Sequence, residues 1–385
     1  MPKFVLLWTD ASIWLLVVAL LAYGVMVLRN PALSANWRKV FHDAAAMCSA
    51  IVLLLCLLVT LLDSVHYRRL LPPVEGQTST GPAYETRTRS LLDGMLWQLV
   101  ESRESTYSRP LSYVSFTKES VEQGGQLVRV APRLKFGGSH LQQPETQWLP
   151  DVLQRAVTGL AAGAACAAVL CGLLLLALAR SRSVPVRVAA GQIWRGEGNM
   201  PWHAALWTIW VAALAIGVAS ALAGPYHLLG TDLTGNDVLY QALKSIRTAF
   251  VIGTLATVAT LPLAVVLGIM AGYFKGWVDE VIQYIYTVLS SVPNVLLIAA
   301  CVLMVQVFLD KHPELFETGA ERSDLKLFLL CMVLGLTGWA GLCRLLRAET
   351  LKLRELDYVQ AAQAFGVPDA RIMRRHIFPN VAHLM

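Results

Sequence analysis

The residues of this chain best suited to chemistry lie near its C-terminal end, and the chemistry they suit is noncovalent. Tyr358-Val-Gln-Ala-Ala-Gln-Ala-Phe-Gly366 is followed, thirteen positions after the glycine, by Pro379 in Arg375-His-Ile-Phe-Pro-Asn380. Ala361, Ala362 and Ala364 favour a helix that Gly366 closes, and Pro368 with Asp369 opens a second one carrying Arg371, Arg374 and Arg375. Two short helices with a hinge can act as a rigid strut. In that role small Ala361 and Ala362 permit close seating on a partner, while Tyr358 and Phe365 anchor in apolar pockets. The arginines suit acidic residues of a partner, lipid phosphates or simple solvation. No paired carboxylates, nucleophile with base, or metal cluster falls within an apolar run, so no catalytic residue, metal site or cofactor is expected. No Gly-x-x-x-x-Gly-Lys-Ser/Thr phosphate loop occurs, so the chain is not an ATPase.

The elements that must position this strut are membrane spans. The chain is 56% hydrophobic and 15% charged, with a mean hydropathy of +0.53, which is too apolar for a soluble globule of its length. Apolar runs long enough to cross a bilayer fall at 12 to 28, 44 to 62, 154 to 179, 204 to 223, 249 to 272, 281 to 309 and 327 to 346. The expected fold is therefore an all-α polytopic membrane protein with about seven transmembrane helices. Basic residues set its orientation. Arg29, Arg38 and Lys39, then Arg180, Arg182, Arg187 and Arg195, then Arg344, Arg347, Lys352, Arg354 and the tail arginines all fall on one side if the N-terminus is outside. That side is cytoplasmic and includes the strut. This bias accounts for most of the +6 net charge, and no basic patch interleaved with aromatics points to nucleic acid. All seven cysteines lie in or at the ends of spans, so no disulfide is expected.

Two further blocks flank the run at 249 to 272: Leu229-Gly-Thr-Asp-Leu-Thr-Gly-Asn-Asp-Val238 and Ala271-Gly-Tyr-Phe-Lys-Gly-Trp-Val-Asp279. With the strut they resemble the permease subunits of ATP-binding-cassette importers, in the dipeptide, oligopeptide and nickel branch, over roughly residues 205 to 385. The family residues matched are Gly230, Thr231, Asp232, Gly235 and Asp237 in the first block, and Gly272, Tyr273, Gly276 and Asp279 in the second. The strut resembles the family's ATPase-coupling loop through Tyr358, Gln360, Ala361, Ala362, Phe365, Gly366, Ile377 and Pro379. Departures are Asn236, where that branch usually has Arg, Lys275, usually Gly, and Gln360, usually Glu. Gln360 keeps the size and hydrogen bonding of glutamate but loses its charge, and Asn236 likewise loses a charge on the outer side. The resemblance implies a bacterial inner-membrane permease for peptides or similar small solutes, working with two ATPase subunits, a second permease subunit, an extracytoplasmic solute-binding protein and membrane lipid. It also implies two more spans after the loop, which this chain lacks, and a truncated chain is the expected explanation.

Residues 64 to 150 read as a small extracytoplasmic α+β insertion, with turn signals at Pro72-Pro73, Gly124-Gly125 and Gly137-Gly138. Leu91, Leu92, Met95, Leu96, Leu99 and Val100 predict one amphipathic helix, and Leu111 to Phe116 with Leu127 to Val130 predict a hairpin. The expected domains are 1–63 with two spans, the 64–150 module, 151–203 with the third span and a cytoplasmic loop, and 204–385 as the permease core. A polar solute needs a water-filled path lined by irregular helix, for which Pro262, Pro293 and Asn294 are the candidates. Gly159 with Gly163, and Gly268 with Gly272, put paired glycines on one helix face and predict close helix packing within the subunit. The scattered histidines, His227 among them, read as boundary residues. The competing functional reading is a membrane-anchored interaction protein, in which the outer module acts and the permease half is inactive.

Overall fold

A computed structural model describes residues 3–71, 84–123, 126–195, 200–315 and 318–384. In chain order its elements are β1 (Lys3–Val5), α1 (Trp8–Arg29), α2 (Pro31–Val40), α3 (Ala44–Asp63), β2 (His66–Arg68), β3 (Arg89–Ser90), α4 (Leu91–Met95), α5 (Trp97–Glu101), β4 (Glu119–Gln123) and β5 (Gln126–Val130). Then follow α6 (Pro144–Arg182), α7 (Val186–Trp194), α8 (Trp202–Ala223), α9 (Val238–Phe274), α10 (Gly276–Ser291), α11 (Asn294–Lys311) and α12 (Gly319–Arg354). The end of the chain is α13 (Asp357–Ala364), α14 (Asp369–Ile372), a π turn over Met373–Ile377 and α15 (Phe378–Val381). Among the described residues seven helices are long and apolar enough to cross a membrane: α1, α3, α6, α8, α9, α11 and α12.

These elements form two compact units, one of Leu16–Tyr67 and Arg89–Thr248, the other of Met1–Leu15, Arg68–Thr88 and Ala249–Met385. In the first, α6 and α8 pack backbone to backbone. A Cβ added to Gly217 would lie 2.4 Å from the Gly159 carbonyl oxygen, and one added to Gly163 would lie 2.6 Å from that of Ala213. The paired glycines of α6 thus serve packing inside the subunit, as small residues do where no hydrophobic force separates helix from lipid.

The outer segment of this unit is α+β, with β2 and β3 antiparallel and a regular hairpin running from Glu119 paired with Val130 to Gln123 paired with Gln126. Two expectations need correction here. The predicted helix over Leu91 to Val100 is two short helices broken at Leu96, whose φ and ψ of -100° and 26° leave the helical region. Ser90 caps the first with a capping box, so the chain starts helix strongly but cannot carry it past the break. The hairpin begins at Glu119 rather than Leu111, because Leu111 adopts a φ of 57° that no strand allows. Pro72-Pro73 and Gly124-Gly125 lie outside the described residues, whereas Gly138 makes its turn at φ 66°.

The second unit is built around α9, α10 and α12. Its core holds Ala271 and Tyr273 of α9, Ile282 and Tyr286 of α10, Trp339 and Leu346 of α12, and four residues of the C-terminal segment. A Cβ on Gly268 would meet the Cys343 oxygen at 3.0 Å, and one on Gly272 the Arg347 oxygen at 2.8 Å, so this glycine pair seats α9 on α12. The predicted span from 281 to 309 is broken. Ser291 ends α10, Val292 and Pro293 are extended with ψ of 129° and 120°, and α11 begins at Asn294. Proline lacks the amide that would continue the ladder and holds the preceding residue out of the helical region. Pro262, by contrast, sits within an uninterrupted α9.

Candidate functional site

The C-terminal segment folds as its residue types dictate. Helix α13 ends in a Schellman arrangement in which Val367 N–H donates to the Ala362 carbonyl at 3.1 Å and Gly366 N–H to that of Gln363 at 2.9 Å. Gly366 takes φ 71°, the left-handed conformation that glycine tolerates. Behind this turn Val359, Ile372, Ile377 and Val381 are each 0% exposed and pack into the core with α9, α10 and α12. Burying each is worth roughly 1.5–3 kcal/mol, enough to hold so short a segment in one orientation.

Polar contacts fix the same segment from beneath. The Tyr273 hydroxyl donates to Asp369 at 2.6 Å and accepts from Gln363 Nε2 at 3.0 Å. Arg354 donates to the Tyr273 carbonyl at 2.7 Å, with its guanidinium 5.8 Å from the centre of the tyrosine ring. One turn into α10, Asp279 accepts two hydrogen bonds of 2.6 Å from Arg347, which hold its carboxyl below the usual carboxylate range. Lys275 pairs with Glu355 at 2.8 Å across the exposed surface. The second sequence block therefore packs against α12 and the strut: Gly272 and Asp279 meet α12, Tyr273 meets Asp369 of the strut, and Gly276 makes a φ 58° turn.

What faces outward is an aromatic edge. Phe365 is 87% exposed and Tyr358 43%. Tyr358 leans on the His376 ring, and its hydroxyl accepts from Asn380 Nδ2 at 3.1 Å. Gln360 and Ala361 are exposed, with Gln360 Nε2 donating to the Glu355 carbonyl at 3.2 Å. Ala362 turns inward against the core, while Pro379 is exposed on α15 and Ile377 is buried. Arg371, Arg374 and Arg375 are all exposed.

The first sequence block lies in the other unit and organises its outer segment. Gly230 and Gly235 both adopt φ 78°, and a Cβ on either would strike the Ser108 or Glu104 carbonyl, at 2.3 and 1.9 Å. Thr231 donates to the Thr106 carbonyl at 2.8 Å. Asp232 Oδ1 accepts from the amides of Thr234 and Asn236 at 2.9 and 2.8 Å, closing the loop on itself. Asp237 starts α9 by accepting from the Tyr240 amide at 3.1 Å and contacts His227 at 2.7 Å.

His227 was unrecognisable from sequence. It is 2% exposed and held between Asp237 and Glu104, the latter 3.3 Å from its Nε2. Burial opposes the imidazolium, but the hydrogen bonds to Asp237 and Glu104 outweigh it and push the pKa to about 9. Glu104 also accepts from the amides of Lys135, Phe136 and Gly137 at 2.8, 2.7 and 3.1 Å. Although burial raises its pKa, these partners lower it to about 2. The boundary-residue expectation for His227 is thereby corrected: it is a buried ionic tie between the sequence block and the outer segment. Glu104 lies 123 positions from it and carried no local signal.

Seven membrane-capable helices among the described residues define a multi-pass membrane protein, and its terminal strut has one buried face and one exposed edge. Residues 264–385 match the family model "Binding-protein-dependent transport system inner membrane component". The chain is 30% identical over 162 residues to the oligopeptide transport system permease protein OppC of Mycobacterium tuberculosis, covering 42% of this chain and 50% of that protein. It is 34% identical over 152 residues to the inner membrane ABC transporter permease protein YejE of Escherichia coli, covering 40% and 39%. To the peptidoglycan transport system permease protein YejE of Agrobacterium fabrum it is 33% identical over 159 residues, covering 41% and 36%. The chain thus spans about half the length, or less, of the curated relatives it matches. Its location is the inner membrane.

Proposed function

We propose that this chain is a permease subunit of an ATP-driven importer for peptides or similar small solutes, coupled through α13 to separate ATPase subunits. The observation that carries this reading is the exposed aromatic edge of Phe365 and Tyr358 on a segment whose opposite face is wholly buried. A strut transmits force only if it cannot yield against its own protein, and Val359, Ile372, Ile377 and Val381 prevent that. In this reading Tyr358 and Phe365 seat in a groove of an ATPase subunit, Ala361 allows close approach, and Gly366 sets the angle. Gln360 keeps the hydrogen bonding of the usual glutamate without its charge. Two ATPase subunits, a second permease subunit and a soluble solute-binding protein complete the assembly, and the break at Pro293 and Asn294 lines the solute path.

The test is co-purification of the membrane-extracted chain, wild type against Phe365→Asp. Phe365 is almost fully exposed, so the substitution spares the fold, which the helical circular dichroism signal checks. An ATPase subunit recovered with wild type and lost in the variant is the expected result. Equal recovery with both removes α13 as the coupling element, and recovery with neither removes the transport reading.

A further inference from the structure

Helix α7 joins α6 to α8 on the side where the basic residues collect. Where the three helices meet there is a cavity of about 490 Å³, within the range of about 300–1,000 Å³ common for small-molecule sites. Its walls include Leu175 of α6, Ile193 and Trp194 of α7, and Trp207 and Trp210 of α8. This is an apolar, tryptophan-rich lining at the end of two spans, where aromatic side chains gather at the membrane interface.

Helix α7 itself rests on Ala189 and Ile193, one turn apart, and leaves Val186, Val188 and Trp194 exposed at 39%, 46% and 81%. Apolar groups exposed on a short helix between two spans, with one arginine among them, suit a helix lying in the interface. Arg187 is also exposed and shares a stripe with Ala190 and Trp194, at spacings of three and seven residues, both of which line the cavity. From Arg180 to Arg195 the sequence has four arginines and no carboxylate, and α8 has none either. The whole connection holds one carboxylate, Glu197, against those four arginines, and the cytoplasmic leaflet supplies further negative charge as lipid phosphate.

We propose that α6, α7 and α8 form a site for one anionic phospholipid, with an acyl chain in the tryptophan-lined cavity and the phosphate on Arg187. This rests on the membrane placement alone and stands or falls apart from the transport reading. The test uses the full chain in lipid nanodiscs containing brominated phosphatidylglycerol or, at the same mole fraction, brominated phosphatidylcholine. Tryptophan quenching assigned to the site is the difference between wild type and Trp210→Phe. Preferential quenching by phosphatidylglycerol is expected, with the preference lowered about fivefold by Arg187→Gln, the ~1 kcal/mol of one basic residue at an anionic surface, and kept by Arg187→Lys. If Arg187→Gln fails to insert, salt replaces it: a preference that declines with added salt supports the site. Equal quenching by the two lipids, or a preference indifferent to Arg187→Gln and to salt, overturns it.

Discussion

The Arg347 guanidinium grips the Asp279 carboxylate through two parallel hydrogen bonds of 2.6 Å. The pair ties α12 to the start of α10, just after the turn that joins α9 to α10. With side chains 25% and 12% exposed it is largely withdrawn from water, so an unpaired partner is costly. Asp279→Asn should cost about 2–3 kcal/mol after allowance for residual solvent screening. The expected readout is a lower thermal midpoint in detergent, largely restored when Arg347→Met is combined with Asp279→Leu. Because the folded pKa of Asp279 lies below its ordinary 3.8, the stabilisation is complete above that value and disappears only as pH falls beneath it. Across the neutral range the contribution should be flat.

The tie at His227 has the opposite sign. Its pKa rises from 6.5 to about 9 on folding, so its contribution is full below 6.5 and is lost as pH climbs through about 9. Glu104 goes from 4.5 to about 2, so its share is full above 4.5 and is lost only as pH falls through about 2. The outer segment should therefore be most stable between 4.5 and 6.5. Hydrogen exchange at the amides of Lys135, Phe136 and Gly137 reports it directly. His227→Gln should speed that exchange by an opening free energy lowered roughly 2–3 kcal/mol and abolish the alkaline decline.

How much of this was legible follows from the range of the interactions. The spans were readable because a bilayer demands long apolar runs, and the break before Asn294 was readable because Pro293 removes a donor locally. The strut was readable too: alanines, Gly366 and Pro368 act on their own neighbours. Glu104 and His227 were not, since each looks like an ordinary polar residue until folding brings it 123 positions across the sequence. Arg347 and Arg354 registered only as positive charge marking the cytoplasmic side, although each binds a residue of the second sequence block. The break at Leu96 escaped because the apolar spacing on both sides of it is helical, and periodicity does not register a single residue's ψ.

Lys275 stands where the peptide branch usually has glycine, and its backbone explains the preference. Its φ of 56° with ψ of -169° is a conformation that glycine reaches freely and side-chain-bearing residues pay for in strain of about 1–3 kcal/mol. The pair with Glu355 is exposed and offsets little of this. Lys275→Gly should raise the thermal midpoint, whereas Lys275→Ala, which keeps the Cβ and loses the pair, should leave it equal or lower. A rise with alanine as large as that with glycine would show that the lysine charge, not its backbone, is the unfavourable element.

Gly217 tests whether the α6 and α8 contact is as close as its geometry says. An added Cβ would sit 2.4 Å from the Gly159 oxygen and 2.8 Å from Gly163 Cα, and both neighbours are backbone that cannot rotate away. Gly217→Ala should therefore force the helices apart at about 1–3 kcal/mol, against the gain alanine ordinarily brings to a helix. Gly172, on the same α6, has nothing within 4 Å of a built Cβ. Gly172→Ala should show only the propensity term and stabilise by about 0.5–1 kcal/mol. Denaturation midpoints in one detergent decide it: opposite signs for the two variants confirm backbone contact between the helices, and a shared upward shift would mean that α6 and α8 stand farther apart.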